Sequence, residues 1–117
     1  MESENLSLII PTFKRERQLN KILNSLKKQH KNNFKLEIII CDSFSGYIEK
    51  NFPKETDNFK IKYFNIEDNI LSSKRNYGIK KTQFVNIILI DDDCIPDENF
   101  IETYQKDFFE IDDKTII

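Results

Sequence analysis

Three short stretches hold the groups that could do chemistry: Pro11-Thr12-Phe13, Asp42-Ser43 and Asp91-Asp92-Asp93. The run of aspartates, directly after Ile87-Ile88-Leu89-Ile90, is the strongest signal. Along an extended chain successive side chains alternate, so Asp91 and Asp93 are expected on one side and Asp92 on the other. Two carboxylates on one side repel each other unless a positive charge lies between them. Hard oxygen ligands of this kind suit Mg²⁺ or Mn²⁺. An ion held by so few carboxylates keeps positions open for phosphate oxygens. It would grip a diphosphate and stabilise the charge that develops when the diphosphate leaves. The plainer alternative is an acidic loop that caps the next helix through Asp97. Asp42 could accept hydrogen bonds from a base edge or a ribose, or simply open an Asx turn. Arg75, within Lys74-Arg75-Asn76, could reach a phosphate or a base, or belong to a solvated helix face.

The elements that must position these residues are legible in the apolar pattern. Residues 6–10 form a short apolar run, stopped by Pro11, that reads as a buried strand. Leu19, Ile22, Leu23 and Leu26 fall at helical spacing and share one face. Residues 36–41 read as a second strand, followed by a loop at 42–46 and a short helix to about Phe52. Residues 59–64 alternate apolar with polar, as a strand with one wetter face does. A helix is expected over 70–81 with Asn69 as its cap, then a strong strand over 84–90. A last helix follows, with Phe100, Ile101, Tyr104 and Phe108 on its apolar face. Gly78 inside the third helix costs about 1 kcal/mol relative to Ala, which a close approach of helix to sheet would explain. Alternating strands and helices imply an α/β fold, a Rossmann-like and mostly parallel sheet with helices on both faces. In such sheets ligands sit outside the carboxyl ends of the strands, where all three candidate stretches fall. The tail Thr115-Ile116-Ile117 reads as the start of a further strand, so the domain over 1–117 is expected to be cut short.

Composition narrows the function classes. The 117 residues are 38% hydrophobic and 32% charged, which fits one globular domain. A net charge of −2 argues against a nucleic-acid-binding surface. Residues 91–113 carry ten acidic side chains and one basic, Lys106. Cys41 and Cys94 match no zinc spacing and no secreted disulfide framework, so reduced thiols in a cytoplasmic protein are expected. No apolar run is long enough to cross a membrane. His30, the single histidine, is expected on the surface without a role, and two glycines leave no Gly-rich phosphate loop. A phosphoacceptor receiver would need acids where Pro11-Thr12 and Asn65-Ile66 stand.

Taken in order, four segments resemble glycosyltransferase family 2. They are Leu-Ser-Leu-Ile-Ile-Pro-Thr-Phe-Lys-Arg (6–15), Ile-Ile-Ile-Cys-Asp-Ser (38–43), Ser-Lys-Arg-Asn-Tyr-Gly-Ile (73–79) and Ile-Ile-Leu-Ile-Asp-Asp-Asp (87–93), with Pro96 and Asp97 continuing the pattern. The resemblance implies a partial GT-A fold and inverting, metal-assisted transfer of a sugar from a nucleoside-diphosphate donor, a UDP-sugar first among them. It implies that Pro11 and Thr12 touch the nucleotide through backbone, that Phe13 stacks on the base and that Asp42 binds it. Arg75 would lie near base or phosphates, Asp91 near the ribose or metal, and Asp93 on the metal itself, Mg²⁺ or Mn²⁺. Lys14 departs from a common Asn, and Ser43-Phe44-Ser45 from a common Asp-Gly-Ser continuation. The family's catalytic base and acceptor site fall beyond Ile117, so no residue here takes a catalytic role. The chain is expected to carry the donor-binding half only, inactive alone. The alternative is a non-catalytic remnant, or a nucleotide-binding module that needs a partner chain. Polysaccharide biosynthesis is the expected setting, in the cytoplasm or peripherally at the inner face of the membrane.

Overall fold

Ile, Leu and Val runs too short for helices and too apolar for a half-wet sheet have to be covered on both sides. The computed structural model describes residues 5–31, 33–44, 52–93, 95–103 and 115–116. Strand β1 (Leu6–Thr12) is buried along its whole length, as is its neighbour β2 (Leu36–Asp42). They pair in parallel from Leu6 opposite Leu36 to Thr12 opposite Asp42. Strand β3 (Phe59–Asn65) flanks β2, with the wetter side chains its alternating sequence predicts. Strand β4 (Asn86–Leu89) pairs with the other side of β1, and β5 (Thr115–Ile116) with β4. The order is β3-β2-β1-β4-β5, and all four ladders are parallel.

Alternation along the strands divides the core in two. Leu8, Ile10, Ile38 and Ile40 meet Leu19, Ile22, Leu23 and Leu26 of helix α1 (Glu16–Gln29). Each such buried side chain contributes roughly 1.5–3 kcal/mol. Glu16 in the first turn of α1 and Lys27 and Lys28 in the last complement its dipole. Ile9, Ile39, Cys41 and Ile87 face the other way, toward Tyr77 and Ile79 of helix α2 (Leu71–Lys80). Helices therefore cover both faces. Gly78 lies where α2 meets the sheet: a Cβ there would stand 2.5 Å from Ile9 Cγ2 and 3.4 Å from Cys41 Sγ.

Several boundaries differ from expectation for identifiable reasons. Strand β1 runs through Pro11 to Thr12. The Ile9 carbonyl faces β4 and the Thr12 carbonyl faces β2. By alternation the proline nitrogen faces the β4 side, where that ladder has ended and no donor is needed. Strand β4 is shorter than 84–90, because Phe84 and Val85 bend before it. Asn69 does not cap α2: Ile70 holds the cap position with no side-chain bond, and Asn69 Oδ1 instead accepts from Lys74 Nζ. The short helix expected before Phe52 falls largely outside the described residues, as do Tyr104 and Phe108. Residues 100–103 are helical, with Asn99 N–H donating to Asp97 Oδ1 ahead of them. His30 is more than a surface residue. Its ring packs against Phe34 and Phe59, and its Nε2 lies 2.8 Å from the Phe34 carbonyl.

Candidate functional site

Helix α1 connects β1 to β2 on one side, while β4 returns to the other side of β1. The direction of winding thus reverses between β1 and β4. At such a switch point the loops leaving the strands part and open a crevice at their carboxyl ends. Thr12 ends β1, and the aspartates follow β4. The two meet directly, with Thr12 Oγ1 donating to Asp92 Oδ2 at 2.8 Å. Arg15 Nε lies 3.5 Å from the other oxygen of Asp92. A pocket of about 280 Å³ opens here, lined by Pro11, Thr12, Phe13, Arg15, Asn69, Leu71, Lys74 and Asp92.

Asp92 is set apart from its two neighbours. Strand β4 ends at Leu89, and residues 92–93 form a turn. Asp92 is the aspartate that lines the pocket. Asp91 is exposed and pairs with Arg75, Nη2 to Oδ1 at 2.9 Å. Asp93 is also exposed. Arg75 Nε is buried and meets no acceptor among the described residues. No three His, Cys, Asp or Glu side chains gather at one point among the described residues. A divalent cation here would therefore need ligand oxygens to complete its shell. The donors on offer, carboxylate oxygens, are the hard type that Mg²⁺ and Mn²⁺ accept.

Asp42 is fully buried at the tip of β2. One oxygen accepts the Phe44 N–H at 2.9 Å, closing an Asx turn, and the other accepts the Tyr63 hydroxyl. This turn sets Phe44 edge-on to Phe13, ring centres 6.3 Å apart, and Phe13 is exposed at the pocket mouth. Lys14, between strand and helix, takes φ 56° and lays its ammonium over both rings. Left-handed backbone costs a lysine more than it costs an Asn or Gly.

The largest surprise is Lys74. It is 4% exposed, with Nζ donating to the Thr12 carbonyl at 2.9 Å and to Asn69 Oδ1 at 2.5 Å. Burial lowers its pKa, and the charges of Asp42, Asp92 and Asp68 pull it back up. Cys41, buried beneath, has its thiol raised to about 11 by desolvation, with Lys74 opposing. Asp92, Lys74, Arg15 and Tyr63 were not singled out by sequence as site residues. For Lys74 the signal existed. It precedes Gly78 by four residues, so a glycine pressed on the sheet puts Lys74 on that same buried face. Far away, at the amino ends of the strands, buried Glu37 accepts from Ser7 Oγ, Lys62 Nζ and Gln83 N. That cluster ties β1, β3 and the α2–β4 loop together.

Fold and site together define a parallel α/β domain with a polar crevice at its switch point. The chain belongs to glycosyl transferase family 2, whose model matches residues 7–116. It is 30% identical to a chondroitin synthase of Pasteurella multocida over 118 residues, 96% of this chain and 12% of that one. It is 31% identical to a hyaluronan synthase of Pasteurella multocida over 115 residues, again 96% and 12%. The chain thus spans about an eighth of these relatives' length. Its fold matches Staphylococcus aureus TarS 1-349 with a TM-score of 0.70 at 20% identity, covering 91% of this chain and 32% of that one. The parallel sheet expected of a partial GT-A fold is therefore present. No described helix is long and apolar enough to cross a membrane.

Proposed function

We propose that residues 1–117 form the donor-binding part of a glycosyltransferase domain that takes a nucleoside-diphosphate sugar, with UDP-sugars the first class to test. The observation that carries this reading is the pocket at the β1–β4 switch point. It combines an exposed aromatic, Phe13, with two cations, Arg15 and Lys74, and one carboxylate, Asp92. That mixture suits a ligand with a flat base at one end and phosphates at the other.

In this account Phe13 offers a face to the base, and the backbone of Pro11 and Thr12 borders it. Asp42 acts on the base or through the Asx turn that sets Phe44 against Phe13. Arg75, whose buried Nε meets no acceptor among the described residues, supplies charge to base or phosphates. Asp91 and Asp93 would hold Mg²⁺ or Mn²⁺ together with diphosphate oxygens. Such an ion, when bound, offsets the charge that builds on the leaving diphosphate. Inverting transfer also needs a base on the acceptor hydroxyl, and no residue of this chain is assigned that role. Binding without appreciable transfer is the outcome proposed for the chain alone, in polysaccharide assembly at the cytoplasmic side of a membrane. A nucleotide-binding module completed by a partner chain would bind in the same way.

Titration calorimetry with UDP tests the proposal. UDP should bind with Mn²⁺ present and at least roughly tenfold more weakly without it. Asp93→Ala should remove that metal dependence. Equal binding with and without Mn²⁺, or an unaffected Asp93→Ala variant, would contradict the metal role.

A further inference from the structure

Lys74 lies one turn before Gly78 on the face of α2 pressed to the sheet, and it is almost wholly buried. Its ammonium carries three N–H donors. The Thr12 carbonyl takes one and Asn69 Oδ1 a second. Asp42, Asp68 and Asp92 surround it at longer range, but among the described residues none pairs with it directly. The third N–H meets no acceptor among the described residues, and Lys74 lines the pocket beside Thr12, Asn69 and Asp92. Its Nζ lies 5.7 Å from the centre of the Phe13 ring. A donor left over at the pocket wall, beside two fixed hydrogen bonds, is aimed for use by whatever fills the pocket.

We propose that Lys74 is a ligand-contacting, specificity-determining residue. It gives its third N–H to an acceptor oxygen of the donor nucleotide, either a pyrimidine carbonyl or a phosphate oxygen. Thr12 and Asn69 fix the ammonium in place, and Gly78 lets the helix sit close enough to deliver it. This inference rests on the reading of the pocket as a nucleotide site, in which Lys74 counts only as one of two cations, and adds the contact that its ammonium makes.

The test is calorimetry with UDP, uridine and pyrophosphate, each with Mg²⁺, on the unsubstituted chain and on Lys74→Gln. UDP affinity should fall roughly tenfold or more in the variant, as for a lost hydrogen bond to a charged group. A parallel loss for uridine assigns the oxygen to the base, and a parallel loss for pyrophosphate assigns it to the phosphates; either supports the proposal. UDP bound equally by both proteins overturns it and leaves the pocket reading intact. No UDP binding by the unsubstituted chain overturns both. Should Lys74→Gln fail to fold, the Lys74 ammonium resonance of the unsubstituted chain provides the readout. It should shift when UDP saturates the protein, and an unmoved resonance counts against the contact.

Discussion

Lys14 is where residue-level strain is most exposed. Its φ of 56° is a conformation that Asn and Gly adopt more readily. Lys14→Asn should raise stability by about 0.5–1 kcal/mol, the usual yield of removing such strain. A denaturant midpoint that fell instead would show that the contacts of its ammonium with Phe13 and Phe44 outweigh the strain. His30 carries a second residue-scale prediction. Desolvation lowers its pKa from 6.5, Phe34 partly restores it and Lys27 lowers it again. The unfolded chain therefore takes the proton first as pH falls. The His30 contribution is complete above pH 6.5 and is lost as pH drops through the lower folded value. Urea midpoints at pH 7.5 and 5 should differ more for the unsubstituted chain than for His30→Gln; equal differences would rule this out. At this scale the sequence was least legible. Asp92 meets Thr12 across the crevice, a contact that the pairing of β4 with β1 sets and local sequence does not. Lys74 was hidden because lysine is so seldom buried, although Gly78 marked the face it shares.

At the scale of elements, the periodic signals did most of the work. The four apolar residues chosen for α1 are the four it buries. The near-continuous apolar runs became the interior strands β1 and β2, and the alternating run became β3 at the edge of the sheet. Ends were harder, because tertiary pairing decides them. Pro11 stays in β1 only because β4 stops short, and Asn69 serves Lys74 in place of the helix start. Gly78 is the residue on which the α2–sheet distance depends. Gly78→Ala gains helix propensity but drives a methyl into Ile9, so a net loss of about 1–3 kcal/mol is expected. A thermal melt at or above that of the unsubstituted protein would show that α2 can retreat without cost. Side chains also fasten the loop after the aspartates to α1. Ser25 Oγ donates to the Pro96 carbonyl, and Gln29 donates to the Asp97 carbonyl while accepting the Ile101 N–H. The acidic loop is thereby anchored beyond its strand.

The whole molecule is a sheet whose two halves wind away from each other, and the crevice this leaves is where the polar residues collect. The sheet's parallel character followed from the order of strands and helices, but the strand order did not. It took the structure to place Thr12 beside Asp92. Identity to the synthases covers nearly all of this chain but a small share of theirs, so what the remaining length contributes belongs to them. The central claim concerns one location: a divalent cation and a nucleoside diphosphate bound together at the β1–β4 crevice. The most direct measurement is a crystal grown with UDP and Mn²⁺, with anomalous scattering used to find the metal. The account predicts a manganese peak against the carboxylates of residues 91–93, with the uracil ring at Phe13. Manganese absent from those carboxylates, or UDP seated at another surface, would contradict it.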